Sequence, residues 1–267
     1  MPSLTPDDLI VAYPEIDFLV AEGRVSSRYM VSIHRAFYDF AASRVAGAAV
    51  LDAGCGTGFG TQRLAGAAKR AVGIDLKDKL LHYGRAQYGA PGLDFIVMDA
   101  NRLGFADGSF DVVVADELLE HLREHRPFLD EARRVLRPGG LFICATVNRV
   151  HSFGTAENPL NRNHFREFDA TDFREELGRW FEGITLLGQG FDRTFERYMN
   201  NRSARGVEWL LMQLEVKHRI PAAWRHRVRS WITGVRVDRV PPEAFAVSDR
   251  DVERALYLVA LGRRPSS

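Results

Sequence analysis

From residue 49 onward, short apolar runs rich in β-branched residues alternate with stretches whose apolar positions recur at helical spacing. The runs predict strands over 49–53, 70–75, 93–99, 110–116, 141–147, 184–188 and 254–262. Between them the longer period predicts helices over 61–68, 77–88, 117–136 and 169–180, with Pro127 expected to kink or split the third. Turn signals fall where the runs change, at Pro91-Gly92, Gly108-Ser109 and Pro138-Gly139-Gly140. The Phe110–Asp116 run shows no polar alternation, as expected of a parallel strand buried on both faces. Strand–helix alternation of this kind predicts an α/β fold, a doubly wound, seven-stranded, mostly parallel sheet.

Two stretches break the alternation. Residues 1–45 carry apolar residues at helical spacing (Tyr29, Ile33, Phe37, Phe40) and predict an N-terminal helical flank or lid. Residues 191–250 separate the last two strands and are too long for a hairpin. They predict a helical insertion, with helical pattern over 208–216 and 222–232, and hold Trp209, Trp224 and Trp231. The expected division is therefore 1–45 flank, 46–190 core, 191–250 insertion, and 251–267 last strand and tail.

Composition narrows the function classes. A formal net charge of +1 lacks the strong basic excess of general nucleic-acid binders. With 46% hydrophobic residues the chain can bury a substantial core, yet no apolar run approaches the roughly 20 residues of a membrane span. Cys55 and Cys144 both lie in segments read as sheet core or ligand loop, so a disulfide framework is not expected and a cytoplasmic setting is.

The candidate chemistry begins at Val50-Leu51-Asp52-Ala53-Gly54-Cys55-Gly56-Thr57-Gly58-Phe59-Gly60. Alternating glycines let the backbone turn sharply and approach a ligand closely. A dinucleotide fingerprint would need a third glycine where Phe59 stands. Asp52 enters the loop with a carboxylate that would repel phosphate, so a nucleoside with cationic groups fits better. Asp75 ends the second strand, where a carboxylate can accept two bonds from vicinal ribose hydroxyls. Asp99 ends the third. With Phe110–Asp116 and Leu136-Arg137-Pro138-Gly139-Gly140-Leu141, the set resembles the class I, Rossmann-like S-adenosylmethionine-dependent methyltransferases. The resemblance implies S-adenosyl-L-methionine as cofactor, held by Asp52, Gly54, Cys55, Gly56, Gly58, Asp75, Leu76, Asp99, Ala100 and Asp116.

In that fold the end of the fourth strand opens over the reacting methyl group. Here it reads Asp116-Glu117-Leu118-Leu119-Glu120-His121, and a helix would put Glu117, Glu120 and His121 on one face. Three readings stand: His121 as general base beside Glu120, a divalent cation such as Mg²⁺ on Glu117, Glu120 and His121, or a helix cap with a packed histidine. Some quinone-ring O-methyltransferases with a similar E-x-x-E-H segment use a metal, so the resemblance permits the second reading. After the fifth strand, Asn158–Phe168 resembles an N-x-x-H-x-R-E-[FY] segment of bacterial methyltransferases. It offers His164 as an alternative base, and Arg166 and Glu167, with Glu117 and Trp209, as substrate ligands. The alternative is a loop bonded to itself.

Between Lys217 and Arg239 stand seven Lys/Arg residues and one acid, Asp238, an excess that would attract an anionic acceptor or be a solvated helix face. The expectation is an enzyme that O-methylates a sugar, a glycan or another small metabolite. C-methylation of an isoprenoid or aromatic acceptor, or non-catalytic cofactor binding, is the alternative. No nucleic-acid partner and no transmembrane segment are expected; a homo-oligomer is open.

Overall fold

The computed structural model describes residues 28–151, 163–190 and 245–266, with 207, 228 and 231–234. Most of the insertion, including Trp209 and Trp224, and the N-terminal part of the flank lie outside the described residues.

Among the described residues eight strands, numbered in chain order, form one sheet in the order β3-β2-β1-β4-β5-β8-β6-β7. Strands β1 (Ala49–Ala53), β2 (Arg70–Asp75), β3 (Leu93–Val97), β4 (Phe110–Asp116) and β5 (Leu136–Val147) pair in parallel. Strand β8 (Tyr257–Arg263) runs antiparallel between β5 and β6 (Glu182–Gln189), which leaves β6 parallel to the first five. One strand more than expected is present, because the chain leaving the insertion lays a two-residue edge strand, β7 (Val247–Ser248), against β6. Strand β5 begins earlier than predicted, since Leu136 pairs with Phe110 before a register shift absorbs the Pro138-Gly139-Gly140 turn.

Helices cover both faces, as the doubly apolar central strands require. Alternate residues of β1 and β4 separate the two layers. Val50, Val112 and Val114 pack with Phe37, Tyr38 and Ala41 of α1 (Arg28–Ala42) and Leu64 of α2 (Phe59–Ala65). Leu51, Val113 and Ala115 pack with Phe128, Leu129 and Ala132 of α4 (Arg126–Val135) and Phe173 of α5 (Ala170–Leu177). Leu81 of α3 (Asp78–Tyr88) joins Ala71, Leu93 and Phe95. The predicted N-terminal flank, in its described part, is thus a wall of the sheet core.

The single helix expected over 117–136 does not form. Glu117 has φ 49°, a left-handed conformation, and only a short 3₁₀ turn, Leu119–His121, precedes α4. Pro127 sits in the first turn of α4, where its missing N–H costs nothing, so it starts a helix rather than kinking one.

Candidate functional site

The glycine loop joins β1 to α2, with Gly54, Gly56 and Gly58 all at positive φ. At Gly58 a Cβ would sit 2.2 Å from the Phe95 ring, so close packing as well as backbone angle demands glycine there. Gly60 has a different reason: a Cβ would lie 1.9 Å from the Tyr38 ring. Tyr38 reaches across that gap to donate to Asp52 Oδ1 at 3.1 Å, while Thr61 Oγ1 donates to Asp52 Oδ2 at 2.6 Å. Asp52 is fully buried, and burial pushes its pKa up to about 7 against the pull of these two bonds. It therefore anchors α1 and α2 beneath the loop. Cys55 is also turned inward, its Sγ 2.8 Å from where a Gly73 Cβ would be, and burial pushes its thiol pKa up.

Asp75 shapes the loop directly. Its Oδ2 accepts Gly56 N–H at 3.0 Å and its Oδ1 accepts Lys77 N–H at 2.9 Å. Each carboxylate oxygen has a further lone pair, so the two-oxygen acceptor expected for ribose hydroxyls is still available. Next to it Leu76 is 67% exposed, and Val97 at the tip of β3 is also exposed. Asp99 is exposed two residues beyond β3, its Oδ1 accepting Asn101 N–H at 2.9 Å, and Ala100 is buried beside it. A half-buried carboxylate, two exposed apolar side chains and an exposed acid at neighbouring strand tips fit an adenosine: hydroxyls on Asp75, a flat base against the apolar tips.

At the end of β4, Asp116 and Glu117 meet a residue that the sequence reading missed. His34 of α1 is buried, its Nδ1 2.7 Å from Asp116 Oδ2 and its Nε2 3.7 Å from Glu117 Oε1. Burial works to lower its pKa, but Asp116 and Glu117 outweigh it and raise it to about 9. Its signal in the sequence was a histidine four residues before Tyr38, on one side of an amphipathic helix. Among the described residues, His34, Asp116 and Glu117 are the acid–histidine group within cation-ligating reach of one another, all three ligand atoms lying within 4.8 Å. The predicted cation set of Glu117, Glu120 and His121 is not assembled, because the helical face it needed is absent.

His121 and Glu120 instead join the second predicted cluster. Phe165 N–H donates to the Glu120 carbonyl at 2.7 Å, docking the 163–168 segment on the 3₁₀ turn. His121 Nδ1 lies 2.9 Å from the Asn163 carbonyl, which can only accept, so Nδ1 carries the proton and Nε2 a lone pair. The His121 and His164 rings meet edge to face at 4.9 Å. His164 Nδ1 is 2.7 Å from Glu167 Oε1, both side chains buried. Glu167 is thus a partner of His164, while Arg166 lies over the Phe168 ring at 5.0 Å. Glu120 is fully buried, with Val147 N–H donating to its Oε1 at 3.3 Å. Burial pushes its pKa up to about 7, with His164 opposing; burial and His164 lower that of His121 to about 4. Glu120 and His121, more than forty residues before His164 and Glu167 in sequence, join them in one imidazole–carboxylate group, buried except at His121.

A protein-family model described as a methyltransferase domain matches residues 51–144. A probable S-adenosylmethionine-dependent methyltransferase of Mycolicibacterium smegmatis is 32% identical over 91% of this chain and 92% of its own length. The O-methyltransferase cnsE of Penicillium expansum is 32% identical over 52% of this chain and 62% of its own. Among solved structures, the N-methyltransferase NodS of Bradyrhizobium japonicum, in complex with S-adenosyl-L-homocysteine, superposes with a TM-score of 0.55. That match covers 90% of this chain and 89% of NodS at 15% identity, a likeness of fold.

Proposed function

Because the chain belongs to the class I S-adenosylmethionine-dependent methyltransferases, we propose that it methylates a hydroxyl of a small metabolite, sugar or glycan, with His164 as general base. The observation that carries this reading is the buried His164–Glu167 pair set edge-on against His121. The cofactor, when bound, supplies an already activated methyl group, so the chain's own residues need only orient the acceptor and take its proton. Glu167 accepts from His164 Nδ1, which leaves Nε2 as the basic nitrogen, and its carboxylate steadies the imidazolium that forms. His121, its pKa lowered, stays neutral beside His164 and does not compete for the proton. An amine would attack as its free base and would not need this pair. The O-methyltransferase among the relatives is consistent with oxygen as the acceptor atom.

The insertion is the element expected to select the acceptor, since additions at the carboxyl ends of strands carry specificity in open α/β sheets. Its Trp231 is 85% exposed and in sequence falls within the basic 217–239 stretch, a composition that suits an anionic or ring-bearing acceptor. Incubation with methyl-labelled S-adenosylmethionine and fractionated cell extract, followed by identification of the labelled product, tests the whole reading. An O-methyl product whose formation falls at least 100-fold in His164→Asn supports it; an N- or C-methyl product, or undiminished turnover in that variant, refutes it.

A further inference from the structure

The described residues of helix α1 make polar ties to the carboxyl ends of three different parallel strands. The Ile33 carbonyl accepts Gln189 Nε2 at 2.7 Å at the end of β6. One residue on, His34 binds Asp116 at the end of β4, and one turn further Tyr38 binds Asp52 in β1. These ends form the edge of the sheet over which the cofactor and acceptor must meet.

The β4 tie has the most to hold. Glu117 keeps a left-handed φ of 49° although it is not glycine, and its carboxylate is buried beside that of Asp116. Strain and like-charge repulsion both favour relaxing this turn. Three contacts oppose them: Glu117 N–H to the Ala145 carbonyl at 3.0 Å, His34 between the two carboxylates, and Leu118 packed on the glycine loop. The last contact is tight, because Leu118 Cδ1 lies 2.9 Å from where a Gly54 Cβ would be. A turn that relaxes at Glu117 therefore carries Leu118 away from the loop that receives the cofactor.

We infer that His34 is a positioning residue: by clamping Asp116 and Glu117 it holds the strained turn after β4, and through Leu118 the glycine loop, in the form that binds the cofactor. The role is independent of which acceptor the enzyme uses, so the identity of the methylated product does not bear on it.

The test is calorimetric titration with S-adenosylhomocysteine of the full chain and of His34→Gln, Glu117→Gly and the double variant, each with its thermal melt. His34→Gln keeps a side chain of similar reach but no imidazolium, and its affinity is expected to fall about tenfold. Glycine at 117 removes both the carboxylate and the cost of the left-handed angle, so the double variant is expected to recover to within about threefold of the parent. A histidine that served stability alone would lower the melting temperature without this loss and recovery of affinity. Unchanged affinity in His34→Gln, or a double variant as weak as His34→Gln, overturns the inference. If His34→Gln does not fold, the double variant must still fold and bind; failure of both also overturns it.

Discussion

Glycine 60 shows how one residue's purpose can differ from what its motif suggests. It continues the alternating glycines of the loop, yet the atom it makes room for belongs to Tyr38, not to a ligand. Gly60→Ala gains helix propensity of up to about 1 kcal/mol but forces the Tyr38 ring off Asp52, leaving a buried carboxylate short of a donor. Overpacking of this kind costs about 1–3 kcal/mol, so a net loss is expected in denaturant melts. The loss should vanish in a Tyr38→Ala background, where nothing occupies the space; a penalty that persists there would locate the clash elsewhere. At Glu167 the argument concerns catalysis. Glu167→Gln removes the charge that steadies protonated His164, and turnover of the labelled acceptor should fall about 10–100-fold with S-adenosylhomocysteine affinity within about twofold. A general-base step not involving His164 would leave turnover untouched.

Elements were legible where periodicity and buried apolar runs agree. Strands β1, β2 and β4 have the bounds that their runs predict, and α1 lies within the helical flank that Ile33, Phe37 and Phe40 mark. The segment after β4 was not legible, because its period is helical while its first residue is held left-handed by contacts with Ala145, His34 and Leu118's seat on Gly54. Tertiary contacts overrode local propensity there, as functional turns commonly require. Residue type and spacing picked out Glu120, His121, His164 and Glu167; that Glu117 parts from them, and that these four form one group, could not be read, since their junction is a backbone bond between Phe165 and Glu120. His34 escaped notice because a histidine within an apolar helix face has no motif of its own. The β3–β4 connection also has no periodic signal, yet α4 holds it firmly. Arg134 donates to the Leu103 and Phe105 carbonyls at 2.9 and 2.8 Å and to Asp107 at 2.7 Å, while Glu131 accepts Leu103 N–H at 2.6 Å. Arg134→Lys cannot reproduce this fork and is expected to cost about 1–3 kcal/mol in denaturant melts. Because the same connection carries Asp99 and Ala100, S-adenosylhomocysteine binding should weaken several-fold along with it; stability lost with no change in binding would show that the tips of β2 suffice to hold the adenosine.

At the scale of the whole molecule, the buried titratable groups set how stability responds to pH. Asp52 and Glu120, with folded pKa values of about 7, favour the folded state most at low pH, and this contribution is lost as pH rises from about 4 to 7. His121, lowered to about 4, acts in the opposite sense: its contribution is complete above about 6.5 and lost as pH falls towards 4. These slopes partly cancel in acid and fade between about pH 7 and 8. His34 is different, because its folded value of about 9 lies above its unfolded value of about 6.5. The folded state binds the extra proton throughout that interval, so its contribution is present below pH 6.5 and declines as pH rises to 9. Burial of Cys55 and Cys144 adds a smaller loss of the same sign as the unfolded thiols ionise, from about pH 7.5 upward. Between pH 7.5 and 8.5 the His34 proton is thus the main source of slope, at about 1 kcal/mol for that single pH unit. Thermal melts across this window should show the melting temperature of the parent falling steadily with pH. In His34→Gln the fall across this window should be about halved, leaving the part due to the two thiols and the tail of Asp52 and Glu120; a slope undiminished by the substitution would mean that the proton sits elsewhere and that His34 does not clamp Asp116 and Glu117 as an imidazolium.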